Sequence, residues 1–367
     1  MLHHGELDVQ VLLGQVEVGS EPFDDPAVGV FLENERARLV LPGDSVVVEE
    51  LRALEFDLVR EAGWLLPTIC LESGEFYDHL GPRIATASDA ACPGTTPYTG
   101  SMPAPGESLT IAHLSDIHCG GPDFVPSLME RAIAEINELQ PDLVICSGDL
   151  TTFGFKQEYL MARGYLDRLD CERFVVIPGN HDSRNVGYIH FEEFFGERHS
   201  VLRLEGVTVV AVDSSEPDLD HGQIGRGRYS WIEEQFAGPA DLRIFVMHHH
   251  LLPVPGTGRE RNVVYDAGDV IECLQGCGVD LVLSGHKHVP YAWRLEDMFV
   301  VNTGTVSSTR LRGNTRPCYN VVEVVGKHVD VWRKYPFHGQ ERIIQFSLET
   351  RAFEKYTARI EDEVTIR

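Results

Sequence analysis

Five short apolar runs, Leu109–Leu114, Leu143–Ser147, Phe174–Ile177, Ile244–Met247 and Leu281–Ser284, are each followed at once by residues of metal-ligand type. The segments between them have helical length and pattern, which is the signature of βαβ units. In the first, Val125, Leu128, Met129, Ala132, Ile133, Ile136 and Leu139 keep the i, i+3, i+4, i+7 spacing, predicting a helix with one apolar face against a sheet. Pro141 and Asp142 stop it. A second helix is expected over Gln157–Leu169 and a further strand over Val207–Asp213. Past His288, strands at Tyr291–Leu295, Phe299–Asn302, Tyr319–Val325 and Val329–Trp332 are expected to form a second sheet that closes a sandwich.

The polar residues sit at the ends of these runs. Asp116 and His118 follow the first, Asp149 the second, Asn180 and His181 the third, His248 the fourth, and His286 and His288 the fifth. In an open α/β sheet the carboxyl ends of the strands line one edge, so groups distant in sequence converge there. The mixture of imidazole nitrogen and carboxylate oxygen suits Zn, Mn or Fe rather than calcium. Asp116, His118, Asp149, Asn180, His248, His286 and His288 are too many donors for one open catalytic metal, and they suit two.

Composition narrows the function. With 57 acidic against 31 basic residues the formal net charge is -26, which argues against holding long nucleic acid by counterion release. A small anionic substrate remains compatible, because bound cations reverse the local sign. The chain has no apolar run of membrane-spanning length, and its start, MLHHGELDVQ, lacks signal-peptide character, so a soluble cytoplasmic protein is expected, with no membrane partner. The 8 cysteines form no CxxC pair and are expected reduced; Cys273 and Cys277 read as helix packing, as does Cys119.

Residues 88–107, rich in Pro, Gly, Ser and Thr, mark a linker. The expected organisation is an accessory domain of open role over 1–87, the linker, a catalytic domain over 108–340 and a C-terminal extension over 341–367. The first domain reads as small and α+β or β-rich, with strand-like patterns at Val9–Val18 and Val28–Leu41 and a helix over Glu49–Ala62. Its adjacent His3 and His4 carry no metal reading.

The blocks SDIH at 115–118, SGDLT at 147–151, PGNHD at 178–182, VMHHH at 246–250 and SGHKH at 284–288 resemble the signature of calcineurin-like metallophosphoesterases, nearest the bacterial branch that includes class III cyclic nucleotide phosphodiesterases. The resemblance covers about residues 109–335 and leaves 1–105 without a counterpart. It implies an α/β fold, a four-layer α/β/β/α sandwich of two mixed sheets. It implies that Asp116, His118 and His288 hold one metal, that Asn180, His248 and His286 hold a second, and that Asp149 bridges them. Two such ions can share a hydroxide that attacks phosphorus in line. His181 would stabilise the developing charge or protonate the leaving alkoxide, with Asp182 orienting it.

His249 is a candidate supporting or substrate contact, and His250 has no assigned role. Arg310, Arg312 and Arg316 cluster in a loop, and Arg310 and Arg312 are candidate substrate contacts; pairing with surface acids is the competing reading. The expected activity is hydrolysis of a small phosphodiester, with a cyclic nucleotide as one candidate. The alternative is a phosphomonoesterase on the same metal core, with a nuclease or a catalytically silent scaffold further away. A homo-oligomer is compatible with the sequence.

Overall fold

The computed structural model describes residues 108–257 and 262–356, together with the backbone of six strands between residues 10 and 71. The chain divides into two compact units, Met1–Gly81 and Pro82–Arg367. In the first, β1 (Gln10–Leu12) pairs antiparallel with β2 (Gln15–Glu17). A separate sheet of β3 (Gly29–Glu33), β4 (Arg36–Leu41), β5 (Asp44–Val48) and β6 (Ile69–Leu71) has the order β5-β4-β3-β6. The helix expected over Glu49–Ala62 and the linker at 88–107 lie outside the described residues.

The second unit begins with β7 (Ser108–Leu114), β8 (Leu143–Cys146) and β9 (Phe174–Val176), which pair in parallel. Strands β10 (His199–Leu204), β11 (Val207–Val212), β12 (Leu242–Val246), β13 (Leu281–Ser284), β14 (Tyr291–Leu295) and β15 (Met298–Asn302) form a six-stranded sheet, ordered β10-β11-β12-β13-β15-β14. The last four, β16 (Tyr319–Val325), β17 (His328–Tyr335), β18 (Gly339–Ser347) and β19 (Phe353–Lys355), return to the first sheet, giving seven strands in the order β19-β18-β17-β16-β7-β8-β9.

Two expectations change here. The strands past His288 do not make a sheet of their own: β14 and β15 complete the six-stranded sheet, whereas β16 pairs antiparallel with β7. The reason is that β7 is buried along both faces and its free edge needs a partner. Nor does the sheet stop at residue 340, because β18 pairs with β17 and β19 with β18.

Side-chain alternation explains the layers. Leu109 and Ile111 of β7 and Leu143 and Ile145 of β8 join a core shared with Ile244 and Val246 of β12 and Leu281 and Leu283 of β13. The alternate residues, Ala112, Leu114, Val144 and Cys146, pack instead on helices α1 (Pro126–Leu139), α2 (Lys156–Leu166) and α3 (Gly187–Phe195). On the far side, Val210, Phe245 and Val282 meet α4 (Tyr229–Phe236) and α5 (Ala267–Gly276). The result is a four-layer α/β/β/α sandwich of two mixed sheets. Strands covered on both faces must be apolar at every position, which is why they read as unbroken runs. In α1 the buried residues are Met129, Ala132, Ile133 and Ile136, and Pro126 opens the helix where no intrahelical N–H is needed.

Among the described residues no helix is long and apolar enough to cross a membrane. Between the sheets, Phe299 of β15 stacks on Phe346 of β18 with ring centroids 4.1 Å apart. Replacing Phe299 by Ala is expected to lower the unfolding free energy by about 3–5 kcal/mol, read as a lower urea midpoint at unchanged slope.

Candidate metal centre

Each proposed ligand lies just beyond a strand, but the strands belong to two sheets. Asp116, His118, Asp149 and Asn180 follow β7, β8 and β9, while His248, His286 and His288 follow β12 and β13. The convergence is therefore between the carboxyl ends of two facing sheets rather than along one edge. Cross-sheet bonds fix it: His248 Nδ1 donates to the Ser147 carbonyl at 2.8 Å, and the His286 amide donates to Asp116 Oδ2 at 3.0 Å. Thr305 Oγ1 adds a bond to the Asp116 carbonyl at 2.6 Å.

The backbone is unusual where the ligands sit. Asp116 (φ 56°), His118 (φ 56°), Asp149 (φ 54°), His286 (φ 86°) and His288 (φ 58°) are all left-handed. Such residues cost about 1–3 kcal/mol each and persist only where surrounding contacts impose them. Glycines let the loops close. A Cβ on Gly285 would lie 2.0 Å from Ser115 Oγ and 2.3 Å from Asp116 Oδ2. Gly148, at φ 99°, would place a Cβ 2.8 Å from His248 Nδ1.

Two clusters result, and they share one atom. In the first, His118 Nε2 and His288 Nε2 are 2.9 Å apart, and Asp116 Oδ1 lies 3.3 Å from His288 Nε2 and 3.8 Å from His118 Nε2. In the second, Asn180 Oδ1 is 3.2 Å from His248 Nε2 and 2.9 Å from His286 Nδ1. Asp149 Oδ2 is 3.7 Å from His118 Nε2 and 3.3 Å from His248 Nε2, while its Oδ1 accepts the His181 amide at 2.9 Å. A single carboxylate oxygen thus faces both groups.

These contacts fit cations. His248 and His288 each commit Nδ1 as donor to a carbonyl, of Ser147 and of Arg310, so in the neutral rings the inward Nε2 carries a bare lone pair. Lone pairs, an amide oxygen and two carboxylates then point at one another, an arrangement that repels itself without positive charge. Burial disfavours imidazolium at His248, yet Asp149 and Asp116 overcome it and raise its pKa to about 9. Burial would raise Asp149 and Asp116, but their histidine neighbours hold both well below the carboxylate range. Donor–donor separations near 3 Å match the edges expected around an ion with metal–ligand distances of about 2.0–2.2 Å. His286 Nε2 is buried without a partner.

His181 joins His118 and Asp149 in a third group whose ligand atoms lie within 4.8 Å of one another. Its Nδ1 donates to the Thr152 carbonyl at 2.6 Å. Burial lowers its pKa to about 4, against the pull of Asp149. Asp182, expected to orient it, does not. The Asp182 carboxylate accepts from the amides of Leu150, Thr151 and Gly179 at 2.9–3.0 Å and from Thr151 Oγ1 at 2.7 Å, so it organises the turns that present Asp149 and Asn180. Burial and the nearby Asp149 push its pKa up to about 7.

The expected substrate contacts change as well. His249 is fully buried, bonded through Nδ1 to Ser214 Oγ at 2.9 Å, with its ring 4.4 Å from that of His286, so it supports a proposed ligand. Arg310 contributes its carbonyl to His288, and its side chain, like that of Arg312, is exposed. Among the described residues neither guanidinium bonds to the seven proposed ligands. Sequence reasoning missed Lys287, half-buried between His286 and His288, whose pKa is lowered by burial despite the attraction of Asp149. Asp220 and Arg184 were also missed. They pair at 2.5 Å beside Asn180, and neither carries a motif.

Residues 109–290 match the family model described as calcineurin-like phosphoesterase. This segment belongs to the calcineurin-like phosphoesterases. Over 200 residues the chain is 26% identical to a cAMP/cGMP dual specificity phosphodiesterase of Mycobacterium tuberculosis, covering 50% of this chain and 63% of that one. A probable glycerophosphodiester phosphodiesterase of Arcobacter nitrofigilis is 35% identical over 127 residues, 33% of this chain and 46% of its own length. The chain therefore spans less than two thirds of either relative. In structure, purple acid phosphatase from yellow lupin superposes with a TM-score of 0.52 at 15% identity, over 65% of this chain and 53% of that one, a likeness of fold. A calcineurin-like phosphoesterase domain with these His and Asp clusters is able to bind divalent metal.

Gly285→Ala is expected to keep the far-ultraviolet circular dichroism of the fold while weakening divalent-metal binding by about tenfold or more in calorimetric titration, because the added methyl displaces Asp116.

Proposed function

We propose that the chain hydrolyses a small phosphodiester on two metal ions of the Mn, Fe or Zn kind. Asp116, His118 and His288 hold one ion, Asn180, His248 and His286 the other, and Asp149 both. The observation that carries this reading is the sharing of Asp149 Oδ2 between the two clusters. When bound, the ions supply Lewis acidity toward the phosphoryl oxygens and lower the pKa of water at the site.

The protein's own groups do the rest. The Thr152 carbonyl accepts from His181 Nδ1 and fixes the ring. To protonate the departing alkoxide Nε2 must first take up a proton, which burial of the ring opposes and the carboxylate of Asp149 favours. Lys287 brings a positive charge close to the seven ligands, where the phosphoryl group carries its negative charge. Diester preference is supported by the relatives named as phosphodiesterases. We place the reaction in a reducing compartment such as the cytoplasm, since six described cysteines are unpaired.

With added Mn2+, turnover of bis-p-nitrophenyl phosphate is expected to exceed that of p-nitrophenyl phosphate, and the reverse order would make the enzyme a monoesterase. Asp149→Ala and Asn180→Ala are each expected to lower kcat by at least about a hundredfold while the thermal transition persists. Full turnover in either variant contradicts the two-ion reading.

A further inference from the structure

We infer that Asp220 is a positioning residue, which decides which end of the Asn180 carboxamide faces the candidate metal centre. The inference rests on the reading of Asn180 as a metal ligand.

The two ends of a carboxamide are nearly equal in shape, yet only the oxygen has a lone pair to give a metal. Asn180 is 2% exposed, and its Oδ1 sits 2.9 Å from His286 Nδ1 and 3.2 Å from His248 Nε2. In a flipped amide the N–H groups would point at those atoms. The other end decides the matter: Nδ2 donates to Asp220 Oδ1 at 3.4 Å. An ionised carboxylate only accepts, so the oxygen of Asn180 cannot face it.

Asp220 is itself held in place. Arg184 Nη2 donates to the same Oδ1 at 2.5 Å. Behind this pair, the loop carrying Asp220 is clasped to the loop carrying Asn180 at three points. Ser183 Oγ meets Ser215 Oγ at 2.5 Å, the Asp218 amide donates to the Ser183 carbonyl at 3.2 Å, and the Asn185 amide donates to Asp218 Oδ1 at 2.9 Å. The Asp220 side chain is 70% exposed, so its pairing with Arg184 adds little to stability. Its consequence is orientational. A bound ion also favours the oxygen, and without Asp220 the amide must be reoriented at the expense of binding free energy.

Calorimetric titration of Mn2+ into the metal-free full chain tests this, with wild type, Asp220→Ala and Asp220→Asn in parallel. Wild type is expected to bind two ions. Asp220→Ala should weaken one binding step by about tenfold and leave the other unchanged, and Asp220→Asn, whose amide oxygen still accepts from Nδ2, should recover most of the loss. The thermal midpoint of the metal-free protein should not move. Wild-type affinity at both steps in Asp220→Ala overturns the inference, as does an equal fall at both steps with a lowered midpoint, which marks a merely structural clasp. If wild type binds no Mn2+, the proposed function falls too. Two-ion binding that Asp220→Ala leaves intact overturns this inference alone.

Discussion

Asp116 and Asp149 carry their carboxylates at 0% and 1% exposure, and among the described residues their ion-pair partners are histidines alone. Removing a carboxylate from water costs several kcal/mol, and a neutral imidazole does not offset it. Two such groups side by side also repel each other. The sequence nevertheless places them here, at the joint ends of two sheets whose interior is packed with Val, Ile, Leu and Phe. The buried carboxylates favour positive charge beside them, and Asp149 and Asp116 accordingly raise the pKa of His248.

Much of the surrounding architecture follows from presenting those carboxylates. The turns after β7, β8 and β13 run through left-handed residues that no isolated loop would adopt. They are held by Asp182 across Leu150, Thr151 and Gly179, and by Thr305 on the Asp116 carbonyl. Because the three parallel strands β7, β8 and β9 come from one sheet and β12 and β13 from the other, neither sheet completes a cluster alone. The stacked Phe299 and Phe346 help hold the two sheets face to face.

The strands were legible because burial on both faces leaves no polar position, and the ligands were legible because each follows such a run directly. Pairing was less so. Nothing local in Tyr319–Val325 says that it lies beside β7 rather than beside β15, since that choice is made by which edge remains open. Strands outside the buried core, such as the half-buried β10 and the exposed β19, carry too little apolar periodicity to read. At the site, the resemblance implies that Asp182 orients His181, but the turn sends its carboxylate toward three backbone amides. Asp220 lies in no motif, and Lys287, although inside the SGHKH block, is flanked by stronger ligand candidates; what each can do depends on where the loops bring it.

In the proposed function, one oxygen of Asp149 joins two metal positions into one centre. Anomalous diffraction from crystals grown or soaked with Mn2+ tests it most directly. Two peaks are expected about 3.5–4 Å apart, one beside Asp116, His118 and His288, the other beside Asn180, His248 and His286, with Asp149 Oδ2 between them. A single peak, or two peaks that do not share Asp149, would contradict it.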